Sequence, residues 1–305
     1  MSDGREIVDD AERALGHVRE AFPALDAQEA HALDAGWFSY AYIVDDTWVF
    51  RFPLTDDPND AEHAYRKERL LLPRLAPAVA VAVPEIQHVA LLPDGRTFMG
   101  HRAIQGEPLT VDAVHAMTGE ALDTIARQIA EFLRAVHAFP IDEAREIGVD
   151  EEELCDEYEQ YREDARRRVY PSLTATQREL CDGLLHQFLS DPGNFEYDTC
   201  VTHADMRGRH VLLDSTPRVA GIIDYGCVCM GDPDYDFFPL QFDAGEELTR
   251  RLLDHYGHGD PDRALRKGQF FAAVDAIDTW LTGLDERCDW KLADGRTRLL
   301  EALLA

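Results

Sequence analysis

The feature that most constrains this chain is a short loop of acidic and histidine residues followed by a hairpin. The loop begins at His203, carries Asp205 and ends at His210, immediately before an apolar run that is typical of a strand. A turn and a second apolar run follow, and Asp224 comes directly after that second run. Because a hairpin brings the ends of its two strands together, Asp205, His210 and Asp224 are expected to converge on one small volume.

Two carboxylates and an imidazole at one point are typical of a site that transfers a phosphoryl group. One carboxylate orients a hydroxyl and accepts its proton, while the other ligands hold Mg²⁺ on the phosphates. Taken singly, each aspartate is more often a solvated cap in a turn. The order of the three residues and their placement beside strands favour the metal-assisted reaction over that structural interpretation.

The same stretch resembles the aminoglycoside phosphotransferase family. The resemblance rests on the pattern His-x-Asp-x-x-x-x-(Asn/His) at 203–210, Ile-Asp-Tyr-Gly at 223–226 and Gly-Asp-Pro-Asp-Tyr-Asp at 231–236. The general family pattern has asparagine where this chain has His210. The branch of aminoglycoside 2″-phosphotransferases and macrolide phosphotransferases is similar to this chain in having histidine there. The resemblance implies an α+β, protein-kinase-like fold, with a β-rich N-lobe and a mostly helical C-lobe.

Roles for individual residues follow from that resemblance. It implies that Asp205 is the catalytic base and that His210 and Asp224 bind the metal. It also implies that His203 and Asp236 support the catalytic loop. Mg²⁺ prefers oxygen ligands, so a histidine in the set leaves Mn²⁺ open as an alternative.

An ion pair predicted in the N-terminal region tests the resemblance independently. The helix predicted over 57–72, which Pro73 is expected to end, carries Glu68 within its apolar stripe. An unpaired carboxylate there would be costly, so Glu68 is expected to meet Arg51, central in the strand predicted over 48–52. Kinases place a lysine–glutamate pair on this strand and helix, with the cation contacting nucleotide phosphates. Arginine carries the same charge as lysine, but its guanidinium places that charge differently. The alternative is that Arg51 and Glu68 form a purely structural ion pair.

Two further segments are predicted to contact the nucleotide, which is ATP or GTP. The turn that contains Gly36 and Ser39 lies where a phosphate-covering loop belongs, although it has one glycine and not Gly-x-Gly-x-x-Gly. Ordinary turn chemistry is the alternative for this segment. The segment around Gly100, His101 and Arg102 resembles the hinge between the lobes, where the main chain would bond the purine edge.

The pattern of short strands changes to long helices near residue 111. This change predicts an N-lobe over residues 1–103 and a C-lobe over residues 104–305. Strands are predicted over 37–44, 48–52, 81–83, 87–91, 96–104, 211–214 and 219–223. Helices are predicted over 150–168, over 174–189 and in the tail from 244. The clearest helix has one apolar face, formed by Leu122, Ile125, Ala126, Ile129, Phe132, Leu133 and Val136.

The charge balance excludes some classes of function. The chain has 305 residues, with 59 Asp+Glu against 30 Lys+Arg and a formal charge of −29. A nucleic-acid partner requires a basic surface, so the composition argues against one. Only three of the 30 basic residues are lysines, and this bias with the acidic excess favours adaptation to a saline cytoplasm. The 6 cysteines are too sparse for a disulfide scaffold.

Neither a membrane nor a secretory route is indicated. No apolar run approaches the ~18 residues that span a bilayer, and the first residues lack the pattern of a signal peptide. We therefore expect a cytoplasmic protein without a membrane partner.

The reaction expected is transfer of the γ-phosphoryl group of ATP or GTP to a hydroxyl of a small antibiotic-like or metabolic molecule. A nucleotide-binding pseudokinase with a regulatory role is the alternative. A protein kinase is disfavoured because the sequence at 231–233 follows the hairpin almost at once and leaves no long activation loop. The acidic stretch at 150–153 is either a pocket wall or a solvated helix face. Other candidates for the acceptor pocket are Asp275, Asp278, Trp280 and Asp285.

Overall fold

The N-terminal part of the chain forms one antiparallel sheet of five strands with two helices. The computed structural model describes residues 8–35, 39–54, 58–151 and 154–304. Its strands, in the spatial order β1-β2-β3-β5-β4, are β1 (Ala30–Ala35), β2 (Ser39–Val44), β3 (Trp48–Pro53), β4 (Ile86–Leu91) and β5 (Thr97–Arg102). Helix α1 (Ala11–Ala21) precedes the sheet, and α2 (Pro58–Leu75) connects β3 to β4.

The hairpin expected at the start of this sheet is confirmed, because β2 and β3 pair along their whole length. Asp45 and Asp46 form the turn with φ values of 50° and 49°, a conformation that aspartate tolerates better than most residues. The predicted start of the first strand, at residues 37 and 38, lies outside the described residues. Helix α1 and strand β1 are additions to the prediction. The sequence of β1 contains no β-branched residue, and pairing with β2 holds it in the sheet.

Helix α2 continues past the residue that was expected to end it. Pro73 lies inside the helix, which reaches Leu75. Leu71, Leu72 and Leu75 are all buried in the core. Burial of these leucines stabilises the last turn of α2, although Pro73 has no N–H with which to donate a helical hydrogen bond.

The rest of the chain is mainly helical. Its helices are α3 (Val111–Ala116), α4 (Gly119–His137), α5 (Ile141–Ile147), α6 (Leu154–Asp164), α7 (Ala175–Leu189), α8 (Phe238–Asp243), α9 (Glu246–Tyr256), α10 (Pro261–Glu286) and α11 (Asp289–Leu304). Two small sheets have the orders β10-β9-β6 and β7-β11-β8. Their strands are β6 (Glu107–Pro108), β7 (Asp150–Glu151), β8 (Cys200–Thr202), β9 (Val211–Leu213), β10 (Val219–Ile222) and β11 (Cys229–Gly231).

Helix α4 is the one that the apolar spacing predicts. Thr118 caps it by accepting the N–H of Ala121 at 3.3 Å. The helix packs against α9, β8 and β10, so it supports the strand that leads into the catalytic loop and the second strand of the hairpin that follows the loop. The predicted face is buried throughout, at Leu122, Ile125, Ala126, Ile129, Phe132, Leu133 and Val136.

The strand expected over 81–83 is not formed. Ala82 makes one isolated bridge instead: its N–H donates to Ala220 at 3.2 Å, and its carbonyl accepts the N–H of Ile222 at 2.9 Å. Pro84 lacks an N–H and cannot continue such a ladder. Through these two hydrogen bonds the N-terminal part of the chain contacts β10.

The fold is of the α+β class, with a β-rich N-lobe and a helical C-lobe. The boundary at residues 103 and 104 stays a prediction; the last strand of the large sheet ends at Arg102. The stretch expected to be helical over 150–168 consists of β7, α6 and a π-helical turn at Ala165–Val169 in its described part. Within the described ranges, none of the helices combines the length and apolarity that crossing a bilayer requires.

Candidate active site

The catalytic loop predicted from the sequence joins β8 to β9. It runs from His203 to His210 and ends in one 3-10 turn that begins at Gly208. Asp205, His210 and Asp224 each present a ligand atom, and these atoms lie within 4.8 Å of one another. The predicted convergence of the three side chains is therefore confirmed.

The backbone is strained at two positions of this site. Ala204 has a φ of 61° and Asp224 a φ of 66°, values that few non-glycine residues adopt. Asp236 holds the first of these: its carboxylate accepts the N–H of His203 at 2.9 Å and that of Ala204 at 2.7 Å. Nε2 of His137 donates to the same carboxylate at 3.0 Å. These bonds support the bracing role predicted for Asp236.

The imidazole of His203 is fully buried and takes one tautomer. Its Nε2 donates to the carbonyl of Ile223 at 3.2 Å, and its Nδ1 accepts the N–H of Asp205 at 3.3 Å. Burial lowers the pKa of His203 below its ordinary value, so the ring is neutral, as an accepting Nδ1 requires. His203 therefore connects the end of the hairpin to the loop that carries Asp205.

The other histidine of the loop presents Nε2 to the site. Nδ1 of His210 donates to the main-chain carbonyl of Asp205 at 2.8 Å, which leaves the lone pair on Nε2. That nitrogen lies 3.5 Å from a carboxylate oxygen of Asp224 and accepts from Nε of Arg209 at 3.0 Å. Two carboxylates and one neutral imidazole form a donor set that fits a divalent cation.

The charge of Asp224 is stabilised by its neighbours. Burial alone would raise the pKa of this carboxyl, but the positive charge of Arg51 lowers it below the ordinary value. Nη2 of Arg51 lies 3.6 Å from Oδ1 of Asp224. Asp224 is therefore ionised, as a metal ligand must be.

The predicted ion pair of the N-lobe is formed. Nη1 of Arg51 lies 2.7 Å and 2.8 Å from the two carboxylate oxygens of Glu68, which is 1% exposed. Burial alone would lower the pKa of Arg51, but Glu68 and Asp224 raise it above its ordinary value. Arg51 thus carries a fixed positive charge at the edge of the site.

The predicted phosphate-covering segment is only partly described. Gly36 lies outside the described residues, so its role stays a prediction. Ser39 is buried at the start of β2, and its Oγ accepts a hydrogen bond from Nε of Arg51 at 3.2 Å. Ser39 therefore positions the arginine, and its contact with a phosphate stays a prediction.

The predicted hinge needs a correction at Gly100 and His101. Both residues lie inside β5 and have partners in β3 and in β4, so their peptide groups belong to the middle of the sheet. A Cβ on Gly100 would come within 2.4 Å of the Phe50 ring, which is the physical reason for glycine there. Arg102 pairs with β3 only, at Trp48, and is the end of the strand. A main-chain contact with the purine stays a prediction for Arg102.

A cleft of about 850 Å³ opens beside the catalytic loop. Both lobes contribute to its lining, with Arg51 and Tyr65 from one and Asp205 and Asp275 from the other. Of the acidic stretch at 150–153, Asp150 lines the cleft and accepts from Nζ of Lys67 at 2.7 Å. Asp278 and Glu286 complete its acidic part.

Two of the proposed pocket walls lie elsewhere. Trp280 is buried in the helical core, and Asp285 forms an ion pair with Arg168 on the surface. On α10, position 280 lies on the side away from positions 275 and 278, which explains the burial of Trp280. Asp285 shares the face of position 278 but lies two turns further along the helix, where it pairs with Arg168. Arg207 also lines the cleft, and the sequence did not predict this. Its position two residues after Asp205 is the feature of the sequence that could have indicated it.

Comparisons with known proteins agree with this architecture. The model of the phosphotransferase enzyme family matches residues 29–271. APH(2″)-IIIa, solved as its GDP and kanamycin complex, is 30% identical, with a TM-score of 0.88 over 95% of this chain and 98% of that one. Macrolide 2′-phosphotransferase MphH from Brachybacterium faecium is 20% identical with a TM-score of 0.68, over 94% of this chain and 98% of that one. Viomycin phosphotransferase from Streptomyces vinaceus is 29% identical over 198 residues, 63% of this chain and 66% of that protein.

The chain belongs to the phosphotransferase enzyme family. The predicted family and the protein-kinase-like, two-lobed fold are both confirmed. The likeness to MphH shows the shared fold alone, and the match to viomycin phosphotransferase spans about two thirds of that relative's length.

Proposed function

We propose that this chain transfers the γ-phosphoryl group of ATP or GTP to a hydroxyl of a small antibiotic-like or metabolic acceptor. The observation that carries the proposal is the convergence of Asp205, His210 and Asp224 within 4.8 Å, next to the cleft that Asp205 and Arg51 line. Membership of the phosphotransferase enzyme family supports it, as does the GDP bound by APH(2″)-IIIa.

Asp205 acts as the base in this reaction. It accepts the proton of the acceptor hydroxyl, whose oxygen bonds to the γ-phosphorus as the bond to the nucleoside diphosphate breaks. Arg51, held by Glu68, contacts the α- and β-phosphates. Positioning and charge neutralisation supply most of the catalysis, since the protein forms no covalent bond to the phosphoryl group.

His210 and Asp224 hold the divalent cation, which is Mg²⁺, with Mn²⁺ as the alternative that a nitrogen ligand favours. When bound, the cation neutralises negative charge on the β- and γ-phosphates. His203 and Asp236 keep the loop in the conformation that presents Asp205.

The acidic wall of the cleft favours an acceptor that carries an amino group. Asp150 is paired with Lys67, and Glu286 is paired with Lys291 at 2.7 Å. Asp278 has no ion-pair partner within the described ranges and accepts a hydrogen bond from the hydroxyl of Tyr161 at 3.1 Å. Burial raises the pKa of Asp278, and an ammonium group on the acceptor would relieve that cost.

The test is acceptor-dependent transfer of radiolabelled phosphate from ATP and GTP, in high KCl with Mg²⁺ or Mn²⁺. Aminoglycosides, macrolides, amino alcohols and sugars are the acceptors to compare. Asp224→Ala should lower kcat by about 10³-fold or more, since metal-ion stabilisation is worth several kcal/mol. Asp285→Ala, which changes an exposed carboxylate of the surface pair with Arg168, is the matched control and should keep the native rate. Near-native turnover by a folded Asp224→Ala protein would exclude the proposal.

A regulatory pseudokinase is not favoured by any observation, because the three groups needed for transfer are present together. It would be recognised by nucleotide binding without turnover of any acceptor. We further propose that the protein works in a saline cytoplasm, since its formal charge of −29 and its few lysines fit such a solvent.

A further inference from the structure

Arg207 lies at the centre of the active site without a role in the reaction described above. It follows Asp205 by two residues, lines the cleft, and has a side chain that is only 13% exposed. Its Nε lies 3.0 Å from Oδ1 of Asp205. Its Nη2 donates to a carboxylate oxygen of Asp275, on α10, at 2.8 Å.

The third nitrogen of this guanidinium differs from the other two in its contacts. Nη1 of Arg207 makes no hydrogen bond to any residue in the described part of the chain, although the two other nitrogens are both engaged. A guanidinium is planar, so contacts at Nε and Nη2 also fix the direction of the N–H groups on Nη1. Because Arg207 lines the cleft, the N–H groups on Nη1 are available to an anion that binds there.

Asp275 is itself held from a second side. Its carboxylate is shared with Arg298 of α11. Burial and the neighbouring charge of Arg207 lower the pKa of Arg298 to about 10, which keeps it charged at neutral pH. Arg207 is therefore anchored to a carboxylate that two helices hold in place.

We propose that Arg207 is a second catalytic residue, which donates from Nη1 to an oxygen of the phosphoryl group during transfer, and that Asp275 positions it. This proposal rests on the phosphotransferase function proposed above. The hydroxyl proton moves to Asp205, the hydroxyl oxygen bonds to phosphorus, and the electron pair of the broken P–O bond stays on the diphosphate. Arg207 keeps its proton throughout and undergoes no covalent change. A fixed cation at this point stabilises the charge on the phosphoryl oxygens more in the transition state than in bound substrate.

Arg209 is a weaker candidate for the same role. Its side chain is 50% exposed, and its Nε donates to Nε2 of His210 at 3.0 Å. In the described part of the chain its ion pair with Asp205 is 3.9 Å long, against 2.8 Å for the bond between Arg207 and Asp275. A mobile, solvated guanidinium loses more entropy on fixing a phosphoryl group than an anchored one does.

The test compares Arg207→Gln, Arg207→Lys and Asp275→Asn in steady-state transfer. Removing one such donor should lower kcat by about 10²–10³-fold for Arg207→Gln, with each KM changed by less than about threefold. Arg207→Lys should recover part of the loss, and Asp275→Asn should show about a tenfold fall in kcat. Arg250→Gln, at an exposed arginine on α9, is the matched control and should keep the native rate.

Affinity for the nucleoside diphosphate with aluminium fluoride separates catalysis from folding, because this complex imitates the transferring phosphoryl group. Arg207→Gln should bind it at least ~10²-fold more weakly than the native protein, while its affinity for the nucleoside triphosphate stays within about threefold. Equal loss of both affinities, or a kcat within threefold of native for Arg207→Gln, would overturn the role of Arg207. The proposed function is judged separately by Asp224→Ala, so native transfer that depends on Asp224 but not on Arg207 would reject this inference alone.

Discussion

One nitrogen of Arg51 contacts both carboxylate oxygens of Glu68, at 2.7 Å and 2.8 Å, while another lies 3.6 Å from Asp224. The guanidinium thus connects a buried residue of α2 with Asp224, the second residue after the end of β10. Because the three groups come from both lobes, the ion pair couples the position of α2 to the geometry of the proposed metal site.

Glu68→Gln should therefore affect both stability and nucleotide use. The change leaves the Arg51 charge without its buried partner, and loss of one member of such a pair costs about 3–5 kcal/mol. We expect a similar fall in the free energy of unfolding, measured by denaturant titration, and a KM for nucleotide raised about tenfold. Glu246→Gln removes a carboxylate that pairs with Arg250 on the surface and should change stability by about 0.5 kcal/mol or less. Equal effects of the two variants would contradict this account.

Gly100→Ala should destabilise the N-lobe through packing and not through the nucleotide. The added methyl group would lie 2.4 Å from the Phe50 ring across the β3–β5 pair, and overpacking of this kind costs about 1–3 kcal/mol. A second change, Phe50→Leu, shortens the opposing side chain and should make the double variant more stable than the sum of the two single effects predicts. Thermal unfolding of the four proteins measures this coupling. Two outcomes would instead support a direct contact of Gly100 with the nucleotide. One is that the stability losses of the two single variants are additive, and the other is that Gly100→Ala lowers nucleotide affinity while keeping native stability.

The local parts of the site were predictable from the sequence. Asp205, His210 and Asp224 converge because a tight hairpin separates them, so their meeting follows from chain connectivity alone. The pairing of Glu68 with Arg51 was also predictable, because a carboxylate in the apolar stripe of a helix requires a cation nearby and Arg51 lies in the preceding strand.

The contacts between distant segments were not predictable in the same way. Arg207 meets Asp275 across 68 residues of sequence, and only the packing of α10 against the cleft decides that contact. Gly100 belongs to the sheet and not to the hinge because the register of β3 places Phe50 opposite it. Pro73 fails to end α2 because tertiary burial of the neighbouring leucines outweighs the lost hydrogen bond.

Stability should fall as the solution becomes acidic. Burial lowers the pKa of His101 and of His203 below the ordinary value of 6.5, so the folded protein keeps both rings neutral. The unfolded chain binds protons below pH 6.5, and between that pH and the folded pKa each histidine removes up to about 1.4 kcal/mol per pH unit. Above this window neither histidine contributes a pH dependence.

His101→Asn tests this linkage while keeping a donor to the carbonyl of Arg102, which Nδ1 of His101 contacts at 3.0 Å. Relative to the native protein, the variant should lose less stability between about pH 7.5 and pH 5 in guanidinium unfolding at fixed ionic strength. His31→Asn changes an exposed histidine and should leave the dependence as it is in the native protein. If His101→Asn and the native protein show the same dependence, burial of His101 is not its cause.

Added KCl should stabilise this protein. With 59 acidic and 30 basic residues, the folded chain concentrates negative charge that the expanded unfolded chain spreads out. Screening shortens from about 10 Å at 0.1 M salt to about 3 Å at 1 M, so self-repulsion falls steeply over that range. We expect the free energy of unfolding to rise by about 1 kcal/mol or more, a shift of a few degrees in Tm.

A charge-reduced variant separates screening from general salt effects on apolar burial. Glu131 and Asp254 are exposed and have no ion-pair partner within the described residues. Glu131→Gln with Asp254→Asn should raise the stability at 0.1 M KCl and leave it unchanged at 2 M, because repulsion matters only where it is unscreened. An equal gain at both salt concentrations would point to local effects of the two substitutions. Higher stability of the native protein at 0.1 M than at 2 M KCl would remove the case for a saline cytoplasm, since repulsion among the acidic residues would then not be what limits the fold.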